Sequence, residues 1–130
     1  RPRQIYACEI NETAYRYLRE NIKLNKVQGR VTPYLGDCLD VAPEGVADRV
    51  LMGCLDAQDY LGKAMKVLAK DGGVIHYHEA CPNMLLPERP IERTRKAVES
   101  NGRCFSLLRY KVVKSYAPGV SHVVIDVRIS

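Results

Sequence analysis

Strand-like and helix-like patterns alternate along most of the chain, and this alternation constrains the fold more than any other feature. Short apolar runs typical of strands lie at residues 5–8, 30–35, 47–52 and 74–78. A helical pattern runs from about residue 12 to residue 25, with Asn11 as its cap. Strands separated by helices predict parallel pairing in an α/β fold.

The C-terminal third of the chain follows a different pattern. After a proline-bearing loop at residues 81–89, a helix is predicted to begin at Pro90 and to end at Gly102. Two strand-like runs follow, at residues 104–113 and 122–128, with only a short connection between them. This spacing predicts an antiparallel hairpin. We therefore predict one domain, residues 1–130, built as a three-layer α/β sandwich whose mostly parallel sheet ends in that hairpin.

The composition is typical of a globular protein, with 46% hydrophobic and 27% charged residues. Lys plus Arg number 20 and Asp plus Glu 15, giving a net charge of +5 that is compatible with a polyanionic partner without requiring one. No apolar run approaches membrane-spanning length, and the N-terminus has no signal-peptide pattern. We expect a cytoplasmic protein with no membrane partner.

The cysteines are odd in number and widely separated, and they form no CxxC pair. Neither a disulfide framework nor a standard zinc knuckle is indicated, so we expect reduced and mostly buried thiols. His76 and His78 alternate along a predicted strand, and with Cys81 they offer a zinc site as an alternative. Ordinary hydrogen-bonded histidines on a covered strand are the simpler interpretation, and we expect no metal.

Glu9 and Asp37 each follow a predicted parallel strand. The carboxyl ends of parallel strands meet at the same edge of a sheet, where ligands bind in open α/β folds. There, Glu9 is placed to accept both hydroxyls of a ribose, and Asp37 to accept an adenine amino group beside the Cys38 amide. The alternative is that each acid only caps the turn that follows it. The matching position of both acids favours a nucleotide-containing cofactor.

Several segments resemble archaeal tRNA-modifying enzymes that act on the purine just 3′ of the anticodon. They are YACEINETAYRYLRENIKLNK, YLGDC, VADRVLMG, LAKDGGVIHYHE and, above all, the tail VKSYAPGVSHVVIDVRI. The resemblance covers essentially the whole chain and implies a Rossmann-like class I methyltransferase fold with S-adenosyl-L-methionine as cofactor. Two relatives share this domain: a tRNA guanine-N1-methyltransferase, and a wybutosine-synthesising enzyme that transfers the 3-amino-3-carboxypropyl group of the same cofactor.

The resemblance also implies that the chain is the C-terminal portion of a larger enzyme. In the family a first strand, a glycine-rich loop, a helix and a smaller tRNA-binding region would come before Arg1. That first strand would lie between the strands ending at Glu9 and Gly53, so its absence would leave two edges unpaired. On its own the chain is expected to be inactive, poorly stable or self-associated.

The residues after the third strand distinguish the two relatives. The methyltransferase is expected to carry Asn-Leu-Pro there, with the asparagine positioning the methionine part of the cofactor. This chain reads Met52-Gly53-Cys54-Leu55. The way the methionine arm is held decides which carbon of the sulfonium faces the nucleophile. The glycine therefore favours aminocarboxypropyl transfer, with tRNA methylation as the alternative.

The resemblance assigns two sets of residues and names no catalytic residue. Glu9, Ile10, Asp37, Cys38 and Gly53 are expected to bind the cofactor, with Ile10 stacking on adenine. Lys114, Tyr116, Pro118 and His122, in the tail, are expected to face the tRNA. Further basic residues are candidates for phosphate contacts or for a solvated surface: Arg109, Lys111 and the group Arg89, Arg93, Arg95 and Lys96. A noncatalytic RNA-binding module is the alternative from another functional class.

Overall fold

The computed structural model describes residues 1–130 and confirms the predicted alternation of strands and helices. Its strands are β1 (Ile5–Glu9), β2 (Val31–Leu35), β3 (Arg49–Met52), β4 (Gly73–Pro82), β5 (Phe105–Ala117) and β6 (Val120–Ile129). Its α-helices are α1 (Glu12–Leu24), α2 (Cys38–Val41), α3 (Leu61–Val67) and α4 (Glu88–Ser100). Short 3-10 turns, Ala57–Tyr60 and Asn83–Leu85, precede α3 and α4.

The chain forms two compact units, and the first is Arg1–Pro43. Its sheet is the parallel pair β1 and β2, with α1 as the connection between them. The Asn11 side chain accepts the Ala14 amide at 2.9 Å, which satisfies one of the unpaired donors of the first helical turn. The predicted cap of α1 is thereby confirmed.

The second unit, Glu44–Ser130, contains a four-stranded sheet in the order β3-β4-β6-β5. β3 pairs with β4 in parallel, whereas β6 pairs antiparallel with both β4 and β5. The predicted C-terminal hairpin is confirmed. Within the two sheets, β1 pairs only with β2 and β3 only with β4, so each of these parallel strands has one unpaired edge.

The core of the second unit lies between one face of this sheet and the helices α3 and α4. Along β6 every second residue from Ser121 to Ile129 is buried, the period of two expected of a strand with one covered face. On the helical side, four residues form a buried apolar face: Ala57, Leu61, Ala64 and Leu68. No helix combines the length and the apolar character that crossing a membrane requires.

The predicted ends of two strands were wrong because both strands continue beyond the apolar runs from which they were predicted. β4 extends through Cys81 and Pro82, which were predicted to open a loop, because β6 pairs with it along its full length. β5 extends to Ala117, and the connection to β6 shrinks to Pro118 and Gly119. Gly119 has a φ of +71°, which glycine adopts without steric cost in such a tight turn.

The start of α4 was also predicted too late. The helix begins at Glu88, so Pro90 is its third residue rather than its first. Proline fits there because the first four amides of a helix have no acceptor within the helix. The last helical residue is Ser100, two residues before the predicted stop at Gly102.

Gly72 and Gly62 provide a matched test of this packing. Gly72 has a φ of +92°, and a Cβ atom there would collide with the carbonyl oxygen of Ile129. Gly62 lies in α3, where a Cβ atom would meet nothing within 4 Å. Gly72→Ala should lower the free energy of unfolding by about 2–4 kcal/mol. Gly62→Ala should raise it by about 0.5–1 kcal/mol, because alanine favours helix. Urea denaturation measures both, and similar effects of the two substitutions would contradict the assigned backbone.

Candidate functional site

In the first unit, the predicted cofactor residues lie together where the two parallel strands end. Glu9 is paired with Leu35 in the register, and its carbonyl accepts the Gly36 amide at 3.0 Å. Asp37 and Cys38 follow directly, at the start of α2. The prediction that the carboxyl ends of these strands bring both acids to one edge is confirmed.

Glu9 is half-buried as a residue, and its carboxylate binds the backbone at the start of α1. Its Oε1 atom accepts the amide of Asn11, the cap residue of that helix, at 3.0 Å. This is the turn-capping interaction that was the alternative to cofactor binding. It occupies part of the acceptor capacity of a carboxylate, which offers about four lone-pair sites. Glu9 is therefore oriented by its own backbone and is still able to accept further hydrogen bonds.

Asp37 is arranged in the same way at the end of β2. Its Oδ1 atom accepts the Leu39 amide at 2.9 Å and caps α2. Gly36 has a φ of +146°, and a Cβ atom there would lie 2.7 Å from Cγ1 of Val41. Glycine at this position lets α2 fold back closely onto the strand end, and this fixes where the Asp37 carboxylate lies.

Ile10 completes this edge of the first unit. It follows Glu9 directly, and 66% of its surface is exposed, which is unusual for an isoleucine beside a strand end. An exposed aliphatic side chain next to two oriented carboxylates suits a ligand with one flat apolar part and several hydroxyl or amino donors. The individual roles of Glu9, Ile10, Asp37 and Cys38 toward a cofactor stay predictions.

Gly53 lies in the second unit, directly after β3. It has no positive φ, and a Cβ atom there would meet nothing within 4 Å. Neither the backbone conformation nor the packing of this chain therefore demands glycine at position 53. The segment that follows is held against β4 by an isolated bridge between Asp56 and Glu79.

The four tail residues are grouped in the β5–β6 hairpin. Lys114 pairs directly with His122 across the two strands, while Tyr116 and Pro118 lie at or beside the turn. The hairpin tip is anchored to the end of β4, because the Asn83 amide donates to the carbonyl of Gly119 at 2.8 Å. The tip thus lies at the edge of this sheet where the parallel strands β3 and β4 end.

The structure separates the residues of the zinc alternative. His76 and His78 lie on the face of β4 opposite to the helices, whereas Cys81 is fully buried on the helical side. No group of three or more His, Cys, Asp and Glu side chains is arranged to hold a metal ion. The two histidines have protein partners instead.

Those partners form two polar contacts across the strands. Arg49 donates to Nε2 of His76 at 2.9 Å, and Nδ1 of His76 lies 2.6 Å from Asp126. Because a guanidinium only donates, the His76 proton is on Nδ1 and is donated to Asp126. Nδ1 of His78 lies 2.9 Å from Nε2 of His122. Burial lowers the pKa of His78, and the neighbouring histidines lower it further.

A buried ionic network around Glu79 was missed by the sequence analysis. Glu79 is 2% exposed and accepts hydrogen bonds from the Tyr77 hydroxyl at 2.6 Å, from Arg89 Nε at 2.6 Å and from Arg93 Nη1 at 2.8 Å. Arg89 also donates to the carbonyl of Ala80. Arg89 and Arg93, which were candidates for phosphate contacts or for a solvated surface, donate to this buried carboxylate. A signal was present, since two arginines four residues apart share one helix face.

The network sets the protonation of its members. Burial alone would raise the pKa of Glu79, but the hydrogen bonds from Tyr77, Arg89 and Arg93 hold that pKa below the ordinary glutamate range. Burial and the adjacent carboxylate raise the pKa of Tyr77. Glu79 is therefore an ionised acceptor that joins β4 to α4, on the strand that also holds the segment after Gly53.

Glu79→Gln tests this network through stability. At neutral pH the substitution should lower the free energy of unfolding by about 1.5–3 kcal/mol, the range for a hydrogen bond to a charged group. The pKa of Glu79 is lower in the folded protein than in the unfolded chain. The extra stability of the wild type is therefore fully present at pH values above the ordinary glutamate pKa, and it disappears as the pH falls through the pKa of the folded protein. Urea denaturation at several pH values measures it. The control is Glu44→Gln, which removes the ion pair between the exposed Glu44 carboxylate and the half-buried Lys63, and it should have a much smaller effect. A constant difference at all pH values would contradict ionised Glu79.

Comparison with known proteins gives a consistent result. Residues 1–106 match the TRM5/TYW2 methyltransferase domain. The chain is 49% identical over 131 residues to a tRNA(Phe) (4-demethylwyosine(37)-C(7)) aminocarboxypropyltransferase of Methanocaldococcus jannaschii, covering 98% of this chain and 51% of that protein. It is 39% identical over 127 residues to the tRNA (guanine(37)-N(1))-methyltransferase Trm5b of Pyrococcus abyssi, covering 97% of this chain and 37% of that protein.

The similarity extends to three-dimensional structure. The crystal structure of M. jannaschii TYW2 in complex with AdoMet superimposes with a TM-score of 0.90 at 47% identity, covering 99% of this chain and 58% of that chain. The predicted Rossmann-like methyltransferase fold is thereby confirmed. The chain spans about half the length of the curated aminocarboxypropyltransferase that it matches.

Proposed function

The chain belongs to the TRM5/TYW2 methyltransferase domain family, and from this premise we propose that it is the cofactor-binding part of a tRNA aminocarboxypropyltransferase. The complete enzyme would transfer the 3-amino-3-carboxypropyl group of S-adenosyl-L-methionine to a tricyclic guanine derivative at position 37 of tRNA, in wybutosine-type biosynthesis. The higher identity to an aminocarboxypropyltransferase than to a methyltransferase supports this choice.

Gly53 is the observation in the structure that carries the proposal. The fold leaves open space for a side chain at this position and requires no special backbone conformation, so glycine is not there for folding. The resemblance described above implies an asparagine at this point in the methyltransferases. Without that side chain the methionine arm is held differently, and a different carbon on the sulfonium is presented to the nucleophile.

The residues at the edge of the first unit fit the adenosine part of the cofactor. Glu9 would accept the ribose hydroxyls, Asp37 the adenine amino group, and the Cys38 amide would donate to a ring nitrogen. The exposed side chain of Ile10 would cover one face of the adenine. Both carboxylates are already oriented by backbone amides, so binding would cost little side-chain ordering.

The reaction depends mainly on how the cofactor and the base are positioned relative to each other. When bound, S-adenosyl-L-methionine supplies an activated carbon attached to its sulfonium. In the transfer, the bond from that sulfur to the aminocarboxypropyl carbon breaks, a carbon–carbon bond to the base forms, and the base loses a proton. The co-product is methylthioadenosine. Aligning the two reacting carbons supplies much of such a rate enhancement, and we assign no general base among these residues.

Substrate tRNA would approach from the β5–β6 hairpin. Lys114, Tyr116, Pro118 and His122 are grouped at its tip, beside the edge where β3 and β4 end. Ligands of open α/β sheets bind at that edge. A cytoplasmic location, and self-association through the unpaired edges of β1 and β3, stay predictions.

The co-product identifies the reaction. The complete enzyme, incubated with precursor-containing tRNA and S-adenosyl-L-methionine, should release methylthioadenosine, measured by chromatography. S-adenosylhomocysteine would contradict the proposal and establish the methyltransferase alternative. The matched variant is Gly53→Asn, which should fold like the wild type because its Cβ atom has open space. It should lower aminocarboxypropyl transfer by about tenfold or more, since small misplacements of reacting atoms are costly.

Substitution of the two acids tests the cofactor site. Glu9→Ala should weaken S-adenosyl-L-methionine binding by at least about tenfold, because a charge-assisted hydrogen bond is worth about 1.5–3 kcal/mol. Asp37→Ala should act more mildly, since adenine keeps its stacking and backbone contacts. Lys114→Ala should leave cofactor affinity unchanged and weaken tRNA binding. Calorimetry on the complete enzyme measures these affinities.

Two results would contradict the assignment of the cofactor site. If Glu9→Ala bound the cofactor normally while Lys114→Ala lost it, the two ends of the domain would have been assigned in the wrong order. If the wild type bound tRNA but no cofactor, the noncatalytic RNA-binding alternative would replace the proposal.

A further inference from the structure

The face of the four-stranded sheet opposite to α3 and α4 is strongly basic. Strand register places its members, because directly paired residues share a face of the sheet. His76 and Arg109 are both paired with Asp126, Lys111 with Val124, and Lys114 with His122. The charged members of this face, which we name the basic sheet face, are Arg49, Arg109, Lys111, Lys114, Arg128 and the single carboxylate Asp126.

Three of these cations form a row along β5. Arg109, Lys111 and Lys114 are exposed, and none of them makes an ion pair within the chain. Same-face neighbours on a strand lie about 6.6 Å apart. Asp126, the acid on this face, is already hydrogen-bonded to His76 at 2.6 Å. Adjacent like charges repel, so the row is unfavourable unless an anionic partner compensates for it.

Two irregularities in β5 create the row. Side chains alternate between faces along a regular strand, which would place Arg109 on the same face as Phe105 and Leu107, toward the helices. The register shift between Leu107 and Arg109 turns Arg109 to the outer face, and the shift between Val112 and Lys114 does the same for Lys114. Re-aiming side chains is a known use of β-bulges. Both shifts here add a cation to one face.

We propose that the basic sheet face binds the phosphate backbone of the RNA substrate, which rests on the proposed function. The row runs along the strand toward the hairpin tip, where the residues proposed to face the tRNA are grouped. Phosphate contacts of this kind position an RNA without reading its sequence. Tyr116 follows the row, is 58% exposed and lies within the third register shift, where it is available to stack on an unpaired base.

A second copy of the chain is a poor fit for this surface. Cations on an edge strand and bulges that disrupt the ladder both oppose strand-to-strand association, and two copies would bring the same charges together. The partner should be a polyanion, and the proposed reaction supplies one.

The experiment compares two charge-matched double variants of the complete enzyme. Arg109→Gln with Lys111→Gln removes two cations from the row, whereas Lys66→Gln with Lys70→Gln removes two exposed lysines from α3 and the turn after it. Binding of unmodified tRNA is measured by fluorescence anisotropy, without cofactor, at about 50–200 mM salt. Circular dichroism and thermal unfolding verify that each variant is folded.

The row variant should bind tRNA about tenfold more weakly. Its slope of log affinity against log salt should fall by about 0.7–0.9 for each lost phosphate contact. The Lys66/Lys70 variant should keep the wild-type slope. Equal losses in both variants would overturn the inference, because net charge alone would then explain them. Unchanged binding by the row variant would also overturn it, and affinity for an acidic protein in place of tRNA would assign the face to that partner.

This test is independent of the reaction. It uses no cofactor and no turnover, so a row variant that binds tRNA normally overturns only the RNA-binding face. Release of the wrong co-product by the complete enzyme would overturn the proposed function even if the row variant lost tRNA affinity.

Discussion

Two hydrogen bonds between strand-end carboxylates and backbone amides are the interactions on which the proposed cofactor site depends. Glu9 accepts from Asn11 and Asp37 accepts from Leu39, in each case at the point where a parallel strand gives way to a helix. The parallel pairing of β1 and β2 puts both strand ends at one edge, and the hydrogen bonds then orient both acids. Capping and ligand binding are not alternatives here. The cap orients each carboxylate and uses only part of its acceptor capacity.

The second unit contains a buried charged side chain, the carboxylate of Glu79. A lone carboxylate inside a protein is costly, and Glu79 is accommodated because two arginines and a tyrosine donate to it. The same strand carries, on its opposite face, histidines that are paired across the sheet. β4 is therefore fixed on both faces, and the segment after Gly53 is bridged to it at Glu79. Where the proposed reaction needs accurate placement of a methionine arm, the supporting strand has little freedom to move.

Local patterns were sufficient to predict much of this structure. The cap at Asn11 and the acids at the ends of β1 and β2 both follow from residues close in sequence. The Glu79 network was missed because its arginine partners lie ten and fourteen residues away and meet it only when α4 packs on β4, and their spacing on one helix face was the only signal. The face of the sheet on which Lys114 lies could not be predicted from the sequence either. Its direction depends on a register shift against β6, and a period-two pattern cannot show where a strand gains an extra residue.

The central claim is that the Glu9 carboxylate binds the cofactor ribose, and a cycle that changes both partners tests it most directly. Calorimetry would measure binding of S-adenosylhomocysteine and its 2′-deoxy analogue to the complete enzyme with Glu9 and with Glu9→Ala. If Glu9 accepts that hydroxyl, the wild type should lose about tenfold in affinity for the deoxy analogue, and the variant should lose almost nothing more. An equal loss in both proteins would show that Glu9 and the ribose do not interact, and would leave Glu9 only as the cap of α1.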